Sequence, residues 1–154
     1  MSKREFLEQM QDSRSQLNAV ISGLTEDQMS QDIVAGEWTI KDILAHIAAW
    51  QSEMLIEIRR AAEGEDIGPT IEESADEWNR RRVEERRRLP LVDVMQEFGT
   101  GYDELVAALE SAPEDHIPLG PGPWDATARL WWLTDHDLDH VAAIRSYRSR
   151  IADA

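Results

Sequence analysis

Apolar residues recur along this chain at steps of three, four or seven, which is the period of a helix face rather than the alternation of a strand. Phe6, Met10, Leu17, Ile21 and Leu24 share one face of a first helix, which Gly23 and the Leu24-Thr25-Glu26 run bring to an end. A second helix opens at Thr39, a favourable N-cap, with Asp42 three places on as an approximate capping box. Its stripe of Ile40, Ile43, Leu44, Ile47, Met54, Leu55 and Ile58 continues to Gly64 and the Gly68-Pro69 pair, about six turns in all. A third helical region starts near Glu72 or Glu73 and meets Leu89-Pro90. Proline lacks an amide donor and disfavours helix in the residue before it, so the pattern predicts a break or kink there. Helix resumes at Leu91, with Leu91, Met95, Phe98, Tyr102, Leu105 and Leu109 as its buried stripe, despite Gly99 and Gly101.

From Ser111 to Trp124 four prolines and two glycines predict a long irregular loop. Asp125 is placed to cap a last helix running to about Ile151. With no strand-like alternation and no internal repeat, the expected fold is all-α. It is a four-helix bundle whose third helix is broken near Leu89-Pro90, with a long Pro/Gly-rich loop before the last helix.

Length and charge narrow this picture. A chain of 154 residues suits a single domain over 1–154, with one core burying roughly two thirds of the unfolded surface. Sixteen Lys plus Arg against thirty-one Asp plus Glu give a net charge of −15. Such a field repels phosphates and anionic headgroups, so nucleic acid and membrane surfaces are not expected as partners. No apolar run is long enough to span a bilayer, and Met1–Phe6 leads into Gln and Glu rather than an apolar stretch. A cytoplasmic location is expected.

The chain has no cysteine, so it has no thiol nucleophile, and any metal site must draw on His, Asp or Glu. That makes the four histidines informative. His136 and His140 lie four apart, on one face of the last helix and beside Leu133, Ile144 and Tyr147, so both imidazoles can reach a single ion. Two core histidines bonded to carbonyls or carboxylates would fit the same spacing. His46, at the edge of the second helix's apolar face, is a third candidate. Three imidazoles from two helices, with a fourth position open to water or substrate, is the arrangement of an open catalytic-type site. His116, in the proline-rich loop, reads as an exposed residue.

Other residues have plainer readings beside a functional one. Asp42 can orient His46, though helix capping explains it better. Asp135, Asp137 and Asp139 read as solvated surface charges. Trp50, one turn beyond His46, can wall a pocket, and at most one of Trp131 and Trp132 can point fully inward. In the run from Arg80 to Arg88, Arg81–Glu85 and Glu84–Arg88 are four-residue ion pairs of a solvated face, with an anion-binding patch as the alternative.

The segment Glu37-Trp38-Thr39-Ile40-Lys41-Asp42-Ile43-Leu44-Ala45-His46-Ile47-Ala48-Ala49-Trp50 resembles the W-[ST]-x-K-[DE]-x-x-x-H-[IL]-x-x-W motif of the DinB-like (YfiT-like) superfamily of four-helix-bundle metalloenzymes. His136-x-x-x-His140 matches the second half of that pattern. Trp78-Asn79-Arg80-Arg81-Arg82, with the Leu89-Pro90 break and Leu91-Val92-Asp93-Val94, is most similar to the DfsB/ClbS-like branch, which includes colibactin self-protection proteins. The resemblance implies a bundle of up-down-down-up type, often a homodimer. It also implies His46, His136 and His140 as ligands of a divalent metal ion such as zinc or nickel.

Relatives of that kind include transferases and isomerases that use bacillithiol or mycothiol, and a hydrolase acting on a strained ring. A divalent ion lowers the pKa of bound water toward about 7, or holds a low-molecular-weight thiol as thiolate. The expected function is therefore activation of water or such a thiol against an electrophilic small-molecule substrate, in detoxification or self-protection. The competing readings are a non-catalytic bundle that sequesters a small ligand, and a structural dimer without metal.

Overall fold

Thr39 opens the second long helix as the spacing predicts. Its hydroxyl accepts from the Asp42 amide at 3.1 Å, and the Asp42 carboxylate accepts from the Thr39 amide at 3.2 Å, a complete and buried capping box. In the computed structural model, which describes residues 1–65, 71–117 and 126–154, with side chains omitted over 126–131, this helix covers Ile40–Ala62. The elements in chain order are α1 (Lys3–Ile21), α2 (Glu26–Gln31), β1 (Ile33–Ala35), β2 (Trp38–Thr39), α3 (Ile40–Ala62), α4 (Ala75–Arg86), α5 (Leu91–Ser111), a single 3₁₀ turn at Glu114–His116, and α6 (Ala126–Ala152). Gly68-Pro69, Asp125 and the residues from 118 to 125 lie outside the described residues, and with them most of the expected loop.

The architecture is the expected helical bundle, with α1, α3, α5 and α6 as its long helices. The broken third region resolves into two helices: α4 stops at Arg86, and α5 starts directly after Pro90, which occupies its N-cap position. Two small elements were not expected. Thr25 and Gln28 form a capping box for the six-residue α2. An antiparallel two-stranded ladder then pairs Ile33 with Thr39 and Ala35 with Trp38 around Gly36, whose φ of 57° is the left-handed conformation that glycine adopts without strain.

The core has two clusters rather than one. The first gathers Leu17, Ile40, Ile43, Leu44, Ile47, Val94, Phe98 and Ile144. The second gathers Phe6, Met10, Met54, Ile58, Trp78, Leu105 and Leu109. From Asp42 to Gln51 every residue of α3 is buried, so this stretch is not a one-sided amphipathic helix but the inner rod on which the others pack. Close approach also explains Gly101: a Cβ there would lie 2.9 Å from the terminal amide of Gln51 on α3.

The ends of the helices are tied down by long side chains. Lys3 Nζ donates to the carbonyls of Glu110 (3.0 Å) and Ala112 (2.7 Å) at the end of α5. Arg148 Nη1 donates to Val20 (3.0 Å) and Ser22 (2.7 Å) at the end of α1. Both cations sit where a helix C-terminus presents unpaired carbonyls and a negative dipole end.

Because the Thr39 box is buried, Thr39→Ala removes the cap and leaves the Asp42 amide without an acceptor away from water. A loss of about 1–2 kcal/mol in unfolding free energy is expected by urea denaturation, with little change in the slope against urea.

Candidate metal centre

α3 presents His46 one and a half turns from its capped start, and α6 presents His136 and His140 on successive turns of one face. Leu133, Ile144 and Tyr147, on the same side of α6, are all buried, so the expected inward face is the observed one. The three imidazoles meet through the same ring atom. His46 Nε2 lies 2.6 Å from His136 Nε2, and His140 Nε2 lies 2.9 Å from it. Among the described residues these three form the group whose donor atoms fall close enough together to hold a metal ion.

Hydrogen bonding alone satisfies this arrangement poorly. An imidazole nitrogen carries either one proton or one in-plane lone pair. His136 Nε2 therefore cannot make well-directed bonds to both neighbours. The environment also keeps the rings neutral. Burial, and after it the charge of His140, pushes His46 down to about 3. Burial with both other histidines pushes His136 to about 2, and burial brings His140 to about 4 against the opposing pull of Asp139.

Three neutral imidazoles with converging nitrogens are the donor set a divalent cation takes. Tetrahedral zinc with bonds of about 2.0–2.1 Å would need nitrogens roughly 3.3 Å apart, and the three donor atoms lie within 4.8 Å of one another, so small ring movements would admit the ion. The residues fit the group.

Tryptophans line the approach. Trp38, carried by β2, lies 4.8 Å from the His46 ring, centroid to centroid. Trp132 stacks on His136 at 4.1 Å with planes 24° apart, and keeps 39% of its surface exposed. Trp50 packs edge-on to Trp132 at 5.0 Å and against Trp78 at 4.2 Å, while its Nε1 donates to Asn79 Oδ1 at 2.8 Å. Trp50 is thus a buried core residue, and Trp38 and Trp132 are the rings that contact the histidines. A cleft lined by Glu37, Trp38, Asp76, Asn79, Arg80 and Arg87 opens beside them, its charges mixed rather than basic.

Asp42 and His116 follow their plainer readings, while some of the charged residues meet a different outcome. Asp42 caps α3 and lies 3.6 Å from Arg87, while His46 Nδ1 has no hydrogen-bond partner among the described residues. His116 is exposed, its Nδ1 2.9 Å from the Ala62 carbonyl, and it does not join the cluster. Arg81 pairs with Glu85 as expected, at 3.3 Å, but also with Glu73. Glu84 pairs with Arg87 at 3.0 Å instead of Arg88.

Asp135 and Asp139 are exposed, but Asp137 is buried, 3.7 Å from the buried Arg14 guanidinium. Burial raises its carboxyl to about 6 against the lowering pull of Arg14. A charge beside a histidine pair looks solvated in sequence because its partner stands on another helix.

Comparison with known proteins gives the chain a family and a fold. The profile of the DinB superfamily matches residues 9–144. A search of curated proteins gives no match. Among solved structures, an uncharacterised protein from Escherichia coli UTI89 superposes with a TM-score of 0.83 at 14% identity, over 98% of this chain and 95% of that one. The colibactin self-resistance protein ClbS in complex with double-stranded DNA gives 0.80 at 13% identity, over 96% of each chain. The mycothiol-dependent maleylpyruvate isomerase gives 0.74 at 16% identity, over 94% of this chain and 61% of that one.

The ClbS complex overturns the expectation that nucleic acid is excluded as a partner, since a protein of this fold is seen with duplex DNA. Net charge is a sum over the whole surface, whereas phosphate contacts are local. Six arginines fall between positions 80 and 88 of this acidic chain.

Proposed function

The chain belongs to the DinB superfamily, and from that premise we propose that it is an enzyme in which His46, His136 and His140 hold a divalent metal ion, zinc or nickel. Its reaction, in this reading, is the activation of water or a low-molecular-weight thiol against an electrophilic small molecule. The observation that carries the proposal is the convergence of three neutral Nε2 atoms, two on one helix and one on another, at separations that hydrogen bonds alone leave frustrated. When bound, such an ion supplies a Lewis acid that lowers the pKa of a coordinated water or thiol.

The chain's own residues do the rest. With no cysteine in the chain, a thiol nucleophile would come from outside, and the mycothiol-dependent isomerase of the same fold supports a thiol in that role. Trp38 and Trp132, in contact with the His46 and His136 rings, would offer flat faces to a substrate. Asn79 fixes the Trp50 ring through its indole N–H.

The test uses untagged protein, so that no other histidines compete. Isothermal titration with zinc or nickel is expected to show one ion per chain. Incubation of the loaded protein with a haloaromatic electrophile is then expected to give turnover that depends on mycothiol, bacillithiol or glutathione. Turnover with water alone would assign hydrolysis. Failure to take up either ion would overturn the reading.

A further inference from the structure

The two ligand-bearing helices are joined by a buried charge that the metal site does not use. Arg14, on α1, is 6% exposed. Its guanidinium carbon sits 3.9 Å from the centroid of the Phe98 ring and 4.2 Å from that of Tyr102, both on α5. Its Nη1 donates to the Phe98 carbonyl at 3.4 Å, and its Nη2 lies 3.7 Å from the Asp137 carboxylate on α6. With the Gln51 amide oriented to satisfy its neighbours, the amide nitrogen donates to Phe98 O at 3.0 Å, and the oxygen accepts from both Arg14 Nη atoms. One cation on α1 thus touches α3, α5 and α6.

The placement of those contacts is informative. Asp137 directly follows His136, and Gln51 stands five residues after His46 on α3. The core clusters around it are built largely of apolar side chains, which tolerate small slides and rotations, whereas a guanidinium fixed between a carboxylate and an amide does not. A rotation of α6 that moved Asp137 off Arg14 would carry His136 and His140 away from His46 by a similar amount.

The pair is a poor device for stability. Arg14 Nε and Asp137 Oδ1 have no hydrogen-bond partner among the described residues, and buried ion pairs commonly contribute less than apolar replacements of similar size. Fixing a helix register is the better-attested use of such a buried polar contact.

We propose that Arg14, Asp137 and Gln51 are positioning residues: their buried cross-link sets the rotation and register of α6 against α3, and so holds His136 and His140 at His46. In its bearing on metal this rests on the three-histidine reading above. In its bearing on the histidines it stands alone.

The experiment compares wild type with Arg14→Met, Asp137→Leu and the double variant R14M/D137L, using Co²⁺ alone as the metal probe. Each single variant leaves one charge buried without its partner and is expected to lose thermal stability. The double variant removes both charges and is expected to recover the wild-type melting temperature to within a few degrees. Its Co²⁺ affinity is nevertheless expected to fall about 10- to 100-fold, the range of outer-shell losses, with an altered Co²⁺ absorption spectrum. In the metal-free chain, nuclear Overhauser contacts between the His46 and His136 rings are expected to weaken in the double variant.

If the double variant recovers stability, and its ring contacts and Co²⁺ spectrum match wild type, the proposal is overturned and the pair is only packing. If wild type binds no Co²⁺ but its ring contacts are lost in the double variant, the positioning role stands and the metal reading falls. Should the double variant fail to fold, Gln51→Leu, which keeps the ion pair but removes the link to α3, carries the same comparison. Unchanged ring contacts in that variant would overturn the proposal.

Discussion

Replacing His46 with alanine should lower the affinity for zinc at least about a hundredfold, beyond the 10- to 100-fold range of outer-shell changes, while the helical content stays that of wild type. His46 is the cluster's contribution from α3. Without it, His136 and His140 remain as two donors on one helix, a chelate open on the side where α3 now offers a methyl group. The fold is expected to survive because alanine favours a helix and because the loss relieves the contact at 2.6 Å between two ring nitrogens. His116→Ala serves as the control, since that ring is exposed and rests on the Ala62 carbonyl away from the cluster. Competition with a chromophoric chelator measures both. Retention of wild-type affinity to within a few fold in His46→Ala would remove His46 from the ligand set.

The second large effect is on stability against pH. In the metal-free folded chain the three imidazoles are held at about 3, 2 and 4, against an ordinary value of 6.5. Above pH 6.5 they are neutral in both states and add no slope. Below it the unfolded chain takes up protons that the folded chain refuses, so the folded state loses stability as pH falls. Asp137 acts in the opposite sense. Raised to about 6 from an ordinary 3.8, it binds a proton in the folded state before the unfolded one, and this contributes stability at low pH that is lost as pH rises through about 6.

Three protons against one leave a difference of two between about pH 6 and pH 4, or roughly 3 kcal/mol per pH unit. Urea denaturation in the presence of a chelator should therefore show stability level from pH 8 to 6.5 and falling steeply below 6. A variant with all three histidines replaced by leucine should lose most of that slope. Equal wild-type stability at pH 7 and pH 5 would contradict the neutral, buried state of the cluster.

Much of this was legible because it was local. Thr39 and Asp42 announce α3 three residues apart, and Pro90 separates α4 from α5 by removing a donor. The four-residue step from His136 to His140 fixes their common face. What escaped was either too short to show a period or held together from far along the chain. The strands Ile33–Ala35 and Trp38–Thr39 are shorter than the alternation that identifies a strand, yet they deliver Trp38 to the His46 ring. The six-residue α2 carries one buried apolar residue, Met29, which leaves no stripe to read.

Asp137 and Arg14 look like surface charges because each is charged and its partner stands far along the chain. Only the packing of four helices shows that they face each other. The same holds for net charge, which describes the whole chain and not the ground on which a partner would sit.

The histidine site also has an order in time. His46 and His136 stand 90 residues apart, and the helix that carries two of the three imidazoles is synthesised after α1, α3 and α5. During translation α3 and α5, which pack extensively on each other, can pair first, whereas α1 packs chiefly on α6. Closing so distant a contact is entropically costly until most of the core exists to reward it. The site is therefore completed only after His140 has emerged, and no ion bound at all three rings can guide the earlier steps. A nascent chain arrested before α6 would carry the most specific stretch of the motif and still lack two of the three imidazoles.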